Sequence, residues 1–246
     1  MSKFENQVVF VTGANRGIGK AFVDEVLKDG ATKVYAAARK PEELKAVVAA
    51  SEGKVIPVKL DVTNEADIDR VAAEYGDVTV LINNAGIAGF QGIIAAADTK
   101  AARAEMEVNY FGVLNLVRSF APVLKNNGGG QIINVSSIAA HVNFPSIGSY
   151  SASKAAVHSL TQGIRAELSL QGTFVTGVYP GPVDTDMTAG VELDKTSPNV
   201  VARNVLDAVT AGEEDIYPDQ MSSEVYAAYR GDPKAVERQF GEMLPQ

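Results

Sequence analysis

Tyr150 and Lys154 stand four residues apart in the run Tyr-Ser-Ala-Ser-Lys, and Ser137 lies thirteen positions before the tyrosine. On a helix, positions i and i+4 share a face, so the phenol and the ammonium can meet over one reacting atom. An ammonium there favours the phenolate and draws a group with an ordinary pKa of about 10 towards neutrality. Such a tyrosine gives or takes a proton, and a serine hydroxyl beside it holds a substrate oxygen. Ser136 and Ser137 both follow a strand directly, and only one of them can face a cleft. The pair alone reads more readily as surface packing, so its meaning depends on the elements that position it.

Those elements alternate. Apolar, partly β-branched stretches at Gln7 to Thr12, Lys33 to Ala38, Lys54 to Leu60, Val78 to Asn83, Gln131 to Ser136, Thr173 to Tyr179 and Asp215 to Tyr217 are separated by helical patterns. The helices are expected after the first glycine loop up to Gly30, from Pro41, and over Asn64 to Tyr75. Further ones are expected from Thr99 to Asn126 with a bend at Pro122, from Tyr150 to about Leu170, and from a Ser197 cap. With no linker, repeat or composition break, the pattern predicts one α/β domain over 1–246. Its form is a doubly wound, Rossmann-type parallel sheet of about seven strands with helices on both faces. Residues 221–246 read as an irregular tail with a short helix at Pro233 to Phe240.

The polar clusters fall where such sheets bind ligands, at the carboxyl ends of strands. The first loop carries Gly13, Asn15, Arg16, Gly17, Ile18 and Gly19 between a strand and a helix. Glycines there let the backbone approach a pyrophosphate, whose charge faces the helix N-terminus. At the end of the second strand, where an acid would select NAD, stand Ala38 and Arg39. A guanidinium suits a 2'-phosphate, and Arg16 can close on the same group, so NADP(H) is favoured over NAD(H); Glu42 and Glu43 weaken the local positive field. Asp61 either meets an adenine edge with Val62 or caps the next helix. Asn84, Ala85 and Gly86 offer small residues and an amide beside a cofactor. Asn109 sits mid-helix, where an amide wants a partner. Pro180, Gly181, Val183 and Thr185 form a stiff turn able to wrap a ring.

Composition narrows the function. The chain has 246 residues, 46% hydrophobic and 21% charged, enough for a substantial core. A formal charge of −8 opposes nucleic-acid and anionic-membrane partners. There is no cysteine and there are two histidines, so no thiolate, disulfide or zinc chemistry is expected. The polar start, Met1 to Gln7, shows neither signal peptide nor membrane span, and a cytoplasmic location is expected.

Taken together, the runs TGANRGIG, NNAG, NYFG, the Ser137 region, YSASK and PGPVDT resemble the short-chain dehydrogenase/reductase family in its single-domain form, over about Gln7 to Tyr217. The resemblance implies hydride transfer between NAD(P) and a carbonyl or alcohol carbon. It implies that Ser137, not Ser136, polarises the carbonyl and that Tyr150 passes the proton. Lys154 would lower the tyrosine pKa and hold the nicotinamide ribose, and Asn109 would position a water in the relay. It also implies a homo-oligomer, dimer or tetramer, built through the two long helices. Phe144, Val142, Tyr179 and His141 are expected to line the pocket, with a short polar lid at Thr188 to Thr196 and no Lys or Arg in the Ile138 to Ser149 loop. The expectation is an NADPH-dependent carbonyl reductase or alcohol dehydrogenase acting on neutral ketones or aldehydes. Its rivals are a 3-oxoacyl thioester reductase and a non-catalytic NADPH-binding sensor.

Overall fold

A computed structural model describes residues 4–245. The first three residues of the expected polar start, Met1 to Lys3, and the last residue, Gln246, lie outside them. Among the described residues seven strands form one sheet in the order β3-β2-β1-β4-β5-β6-β7, every neighbouring pair parallel. They are β1 Val8–Thr12, β2 Lys33–Ala38, β3 Val55–Lys59, β4 Val80–Asn83, β5 Gly130–Val135, β6 Thr173–Val178 and β7 Asp215–Ile216. The order reverses direction between β1 and β4, which opens a crevice at their carboxyl ends.

Strand periodicity divides the core. Val9 and Val11 of β1 point into one apolar layer and Phe10 into the other, and β2, β4 and β5 split in the same way. The first layer is covered by α1 Gly17–Lys28, α2 Lys45–Ala49 and α7 Pro198–Thr210. The second is covered by α3 Glu65–Glu74, α5 Gly112–Asn126 and α6 Gly148–Leu168. Phe4, in a segment read as polar, is 2% exposed in the first layer and donates its amide to Asp29 O, at the end of α1.

Two expectations need correction. The helix expected from Thr99 to Asn126 begins as α4 Lys100–Glu105, widens into a π-helical turn over Met106–Phe111, and resumes as α5, which continues through Pro122. The interruption falls around the buried Asn109, as a helix with a mid-span amide partner requires. The tail holds the short helix expected at Pro233 to Phe240 and, before it, a helix where an irregular segment was expected. Asp219 caps α8 Gln220–Gly231 with a reciprocal Ser222 contact, and Asp232 caps α9 Pro233–Gly241.

Helix α8 closes a third cluster with the loop after β5. His141, expected in the pocket, is packed here with His158, Tyr179, Tyr217, Tyr226 and Tyr229, ring centroids 4.6 to 5.9 Å away. Its Nε2 meets the Tyr217 hydroxyl at 3.0 Å, and His158 Nδ1 meets the Tyr179 hydroxyl at 2.7 Å. Tyr179, expected in the pocket wall, is wholly buried in this cluster. Burial, then the neighbouring His158, pushes the His141 pKa from 6.5 down to about 4.

Stability should therefore fall on acidification. Between pH 6.5 and about 4 the unfolded chain binds the His141 proton and the folded chain does not, so this contribution is complete above pH 6.5 and lost as pH falls towards 4. Its size is ~2–3 kcal/mol. Urea unfolding of His141→Phe should show a correspondingly shallower pH slope in that window; an unchanged slope would contradict the assignment.

Candidate active site

The βα turn after β1 is built for close backbone approach. Gly13 and Gly17 have φ of +65° and +54°, which glycine alone adopts without strain. A Cβ on Gly19 would lie 2.2 Å from Gly13 O, so the third glycine seats α1 against the turn. Gly19 itself does not reach the cavity. Arg16 stands at the N-cap without a side-chain cap, which leaves the first amides of α1 to whatever the crevice holds.

Beside the turn, Thr12 Oγ1 accepts the amides of Asn84 and Ala85 at 2.9 and 3.1 Å. Asn84 Nδ2 donates to Thr12 O at 2.9 Å, locking the loops after β1 and β4 together. The result is an elongated cavity of about 810 Å³. Apart from Gly19, every residue expected to hold a cofactor lines it: Gly13, Asn15, Arg16, Gly17, Ile18, Arg39, Asp61, Val62, Asn84, Ala85, Gly86, Tyr150, Lys154, Pro180, Gly181, Val183 and Thr185. Thr185 packs on the glycine loop, where a Cβ on Gly17 would come within 3.1 Å of its methyl.

At the charged end of the cavity Arg16 reaches across the mouth to Asp186 at 3.1 Å, an exposed contact, and Arg39 lines the same cavity. Asn15 Nδ2 donates to Glu43 at 2.7 Å. Asp61 does not cap α3, whose cap is Asn64; it accepts from the amide and hydroxyl of Thr63 at 3.0 and 2.7 Å. Those bonds, with the nearby Arg39 charge, hold its carboxyl below the ordinary value. Lys40, Asp186 and Thr63 also line the cavity and were missed from the sequence. Lys40 had a signal in its adjacency to Arg39; Asp186 had none, because only folding brings it to residue 16.

The chemical centre lies where the loops after β4 and β5 meet α6. Ser136 is committed to Lys154 O at 3.0 Å and is buried, whereas Ser137 is half-buried, accepts Ala139 N at 3.2 Å and stands on the cavity wall beside Tyr150. Lys154 is 4% exposed, and its Nζ donates to Val135 O at 3.0 Å. It lies 5.6 Å from the centre of the Tyr150 ring. The expected lowering of the tyrosine pKa is not what this geometry gives. Loss of solvation pushes Tyr150 up to about 12, against the neighbouring Ser137 hydroxyl, and pulls Lys154 down to about 8.

Asn109 lines neither cavity. Its Oδ1 accepts Ile87 N at 2.9 Å, and its Nδ2 donates to Ile87 O and Ser153 Oγ at 3.0 and 2.9 Å. Ser153 in turn donates to Tyr150 O at 2.7 Å, so this amide ties the catalytic helix to the loop after β4. Glu105, one turn earlier and 1% exposed, accepts Gly89 N at 2.6 Å and steadies the next stretch of that loop. It was missed because nothing in its sequence neighbourhood distinguishes it from a solvated glutamate.

A second cavity, about 720 Å³, adjoins the first and shares Ser137, Tyr150, Gly181, Met187 and Thr188 with it. Of the expected wall only Phe144 lines it; Val142 is packed behind with Val236 and Phe240. The segment expected to be a polar lid instead presents Val191 and Leu193. That segment is anchored by Lys195 Nζ on Thr188 O at 2.7 Å.

The model of the short chain dehydrogenase family matches residues 7–196. The chain belongs to that family, an oxidoreductase lineage of Rossmann-type domains. It is 32% identical to an uncharacterised oxidoreductase of Staphylococcus saprophyticus, over 92% of this chain and 96% of that one. A short chain dehydrogenase from Burkholderia cenocepacia, solved in complex with NADP, is 44% identical and superposes with a TM-score of 0.92 over 98% of this chain and 99% of that one. A short chain dehydrogenase/reductase from Burkholderia phymatum, solved with NAD, is 26% identical, with a TM-score of 0.85 and 97% of each chain covered.

Burial of the Lys154 ammonium costs stability, since a pKa drawn from 10.5 to about 8 measures the penalty on its charged form. Lys154→Met should raise the unfolding free energy at pH 7 by ~1–3 kcal/mol. A variant less stable than wild type in urea melts would mean that the bond to Val135 outweighs the desolvation.

Proposed function

We propose that the chain is an NADPH-dependent carbonyl reductase that converts neutral ketones or aldehydes to alcohols. The observation that carries this reading is the position of Ser137 and Tyr150 on the wall shared by the two cavities. One cavity has the glycine turn and open helix N-terminus that suit a pyrophosphate, and the other has room for a substrate. A dinucleotide fits the residues present. Gly86 is one example, since a Cβ there would stand 3.2 Å from Asn109 Oδ1 and 3.5 Å from Lys154 Nζ, so only a glycine leaves the cradle open.

In this reading NADPH supplies the hydride that goes to the carbonyl carbon. Ser137 Oγ donates a hydrogen bond to the carbonyl oxygen, and the Tyr150 hydroxyl gives that oxygen its proton. A phenol with a pKa near 12 is fully protonated at neutral pH, which suits reduction. Lys154, cationic below about pH 8, stabilises the phenolate left behind until it recovers a proton from solvent. The NADP preference rests on Arg39 and Lys40 at the open end of the cavity, with Glu43 engaged by Asn15. A homo-oligomer through α5 and α6 is part of the same reading; Phe111, immediately before α5, is a large apolar side chain left 42% exposed.

Turnover is tested by following NADPH oxidation with a panel of ketones, aldehydes and 3-oxoacyl thioesters, NADH in parallel. Tyr150→Phe should lower kcat by ~10²–10⁴ while leaving NADPH affinity nearly intact. Retained activity would remove the tyrosine from its role. The wild-type rate should be level through neutrality and fall as pH rises through about 8, where Lys154 loses its charge. Arg39→Ala should lower the ratio of NADPH to NADH kcat/KM by ~10-fold, the value of one charge-assisted contact. An unchanged ratio would place the 2'-phosphate elsewhere.

A further inference from the structure

The second cavity carries its own chemical signature. None of its lining residues is Asp, Glu, Lys, Arg or His, although charged residues are 21% of the chain. Three of the chain's five methionines, Met187, Met221 and Met243, face it from separate segments. Exposed apolar side chains also concentrate there. Of eleven large hydrophobic residues at least 36% exposed among the described residues, five line this one cavity: Phe90, Met187, Leu193, Met243 and Leu244. Isolated exposed apolar residues are ordinary, but a cluster around a concave site marks a surface that a ligand covers.

We infer that the substrate is a bulky, apolar, uncharged ketone, polycyclic or long-chain, and that the segment Met243 to Pro245 with its methionine neighbours sets this preference. The inference rests on the reductase reading and adds the substrate class. A cavity of about 720 Å³ is far larger than a small ketone fills. A small substrate would leave water against the apolar wall, whereas a large one removes that surface from solvent at ~25 cal/mol per Å². A carboxylate or phosphate on the substrate would enter a chamber without a single cationic partner and lose its hydration. Methionine thioethers on three walls adjust to different apolar shapes, so the preference is for size and polarity rather than for one outline.

The wall formed by residues 243–245 is fixed in place. Met243 O accepts the amide of Ser146 at 3.1 Å. Pro245 rests on Gly92, where a Cβ would come within 2.6 Å of its ring. One contact joins this wall to the loop before α6 and the other to the loop after β4. Both loops reach the catalytic groups, so the wall is held in register with Ser137 and Tyr150.

The experiment measures kcat/KM with NADPH for acetone, acetophenone, 2-decanone and a three-ring aromatic ketone, and for a keto acid of the same size as 2-decanone. Nile red, a neutral apolar dye, reports occupancy of the chamber independently of turnover. The expected result is a rise of at least tenfold in kcat/KM from acetophenone to the bulky ketones, and a keto acid at least tenfold poorer than its neutral counterpart. Leu244→Asp, at a position 69% exposed and so safe for folding, should lower the bulky-to-small ratio at least tenfold and weaken Nile red binding. Gly92→Val, which displaces Pro245, should shift the ratio in the same direction. Efficiency independent of size, preference for the keto acid, or a Leu244→Asp ratio equal to wild type would overturn the inference with the reductase reading intact. Nile red displaced by the three-ring ketone, with no ketone of any size reduced, would uphold the chamber's preference and overturn the reductase reading instead.

Discussion

A lysine ammonium held almost out of water is the constraint around which this domain is arranged. Lys154 donates to Val135 O at the end of β5, and its own carbonyl accepts from Ser136, so α6 is fastened to the end of the strand. A buried charge with so few partners persists only where the surroundings are rigid. The rigidity comes from further polar links between helix and sheet. Asn83 of β4 donates to Asn134 of β5 at 2.8 Å, and Asn134 donates to Thr161 of α6 at 3.1 Å. With Asn109 and Ser153 holding the first turn of the same helix, α6 is pinned at both ends of its buried stretch.

The same arrangement separates stabilising parts from reacting ones. Strands β1, β2, β4 and β5 carry apolar side chains on both faces, so the sheet is stable without help from its carboxyl edge. That edge can then hold conformationally costly glycines, an uncapped helix start and a desolvated lysine, each unfavourable by itself. The aromatic cluster around His141 backs the site from behind. It joins the loop after β5 to α6 and α8, and α8 also brings Met221 to the second cavity. Asp219, at the head of α8, accepts Gly181 N at 2.8 Å and so ties this helix to the turn that borders both cavities.

The fold class, the strand positions to within a residue or two, and most of the lining of the first cavity were legible in the sequence. These follow from local chemistry: a period of two in the strands, glycines where the backbone must turn, and polar residues at strand ends. Helix α8 escaped because its tyrosines and serines show no clean apolar stripe. Only the tertiary structure decided what distant residues do to each other. Asp186 meets Arg16 across 170 positions of chain. His141 and Tyr179 turn into a cluster rather than the pocket, and residues 243–245 fold back to wall the chamber. The pKa order of Tyr150 and Lys154 was also out of reach, because spacing on a helix says which groups are neighbours, while desolvation depends on everything packed around them.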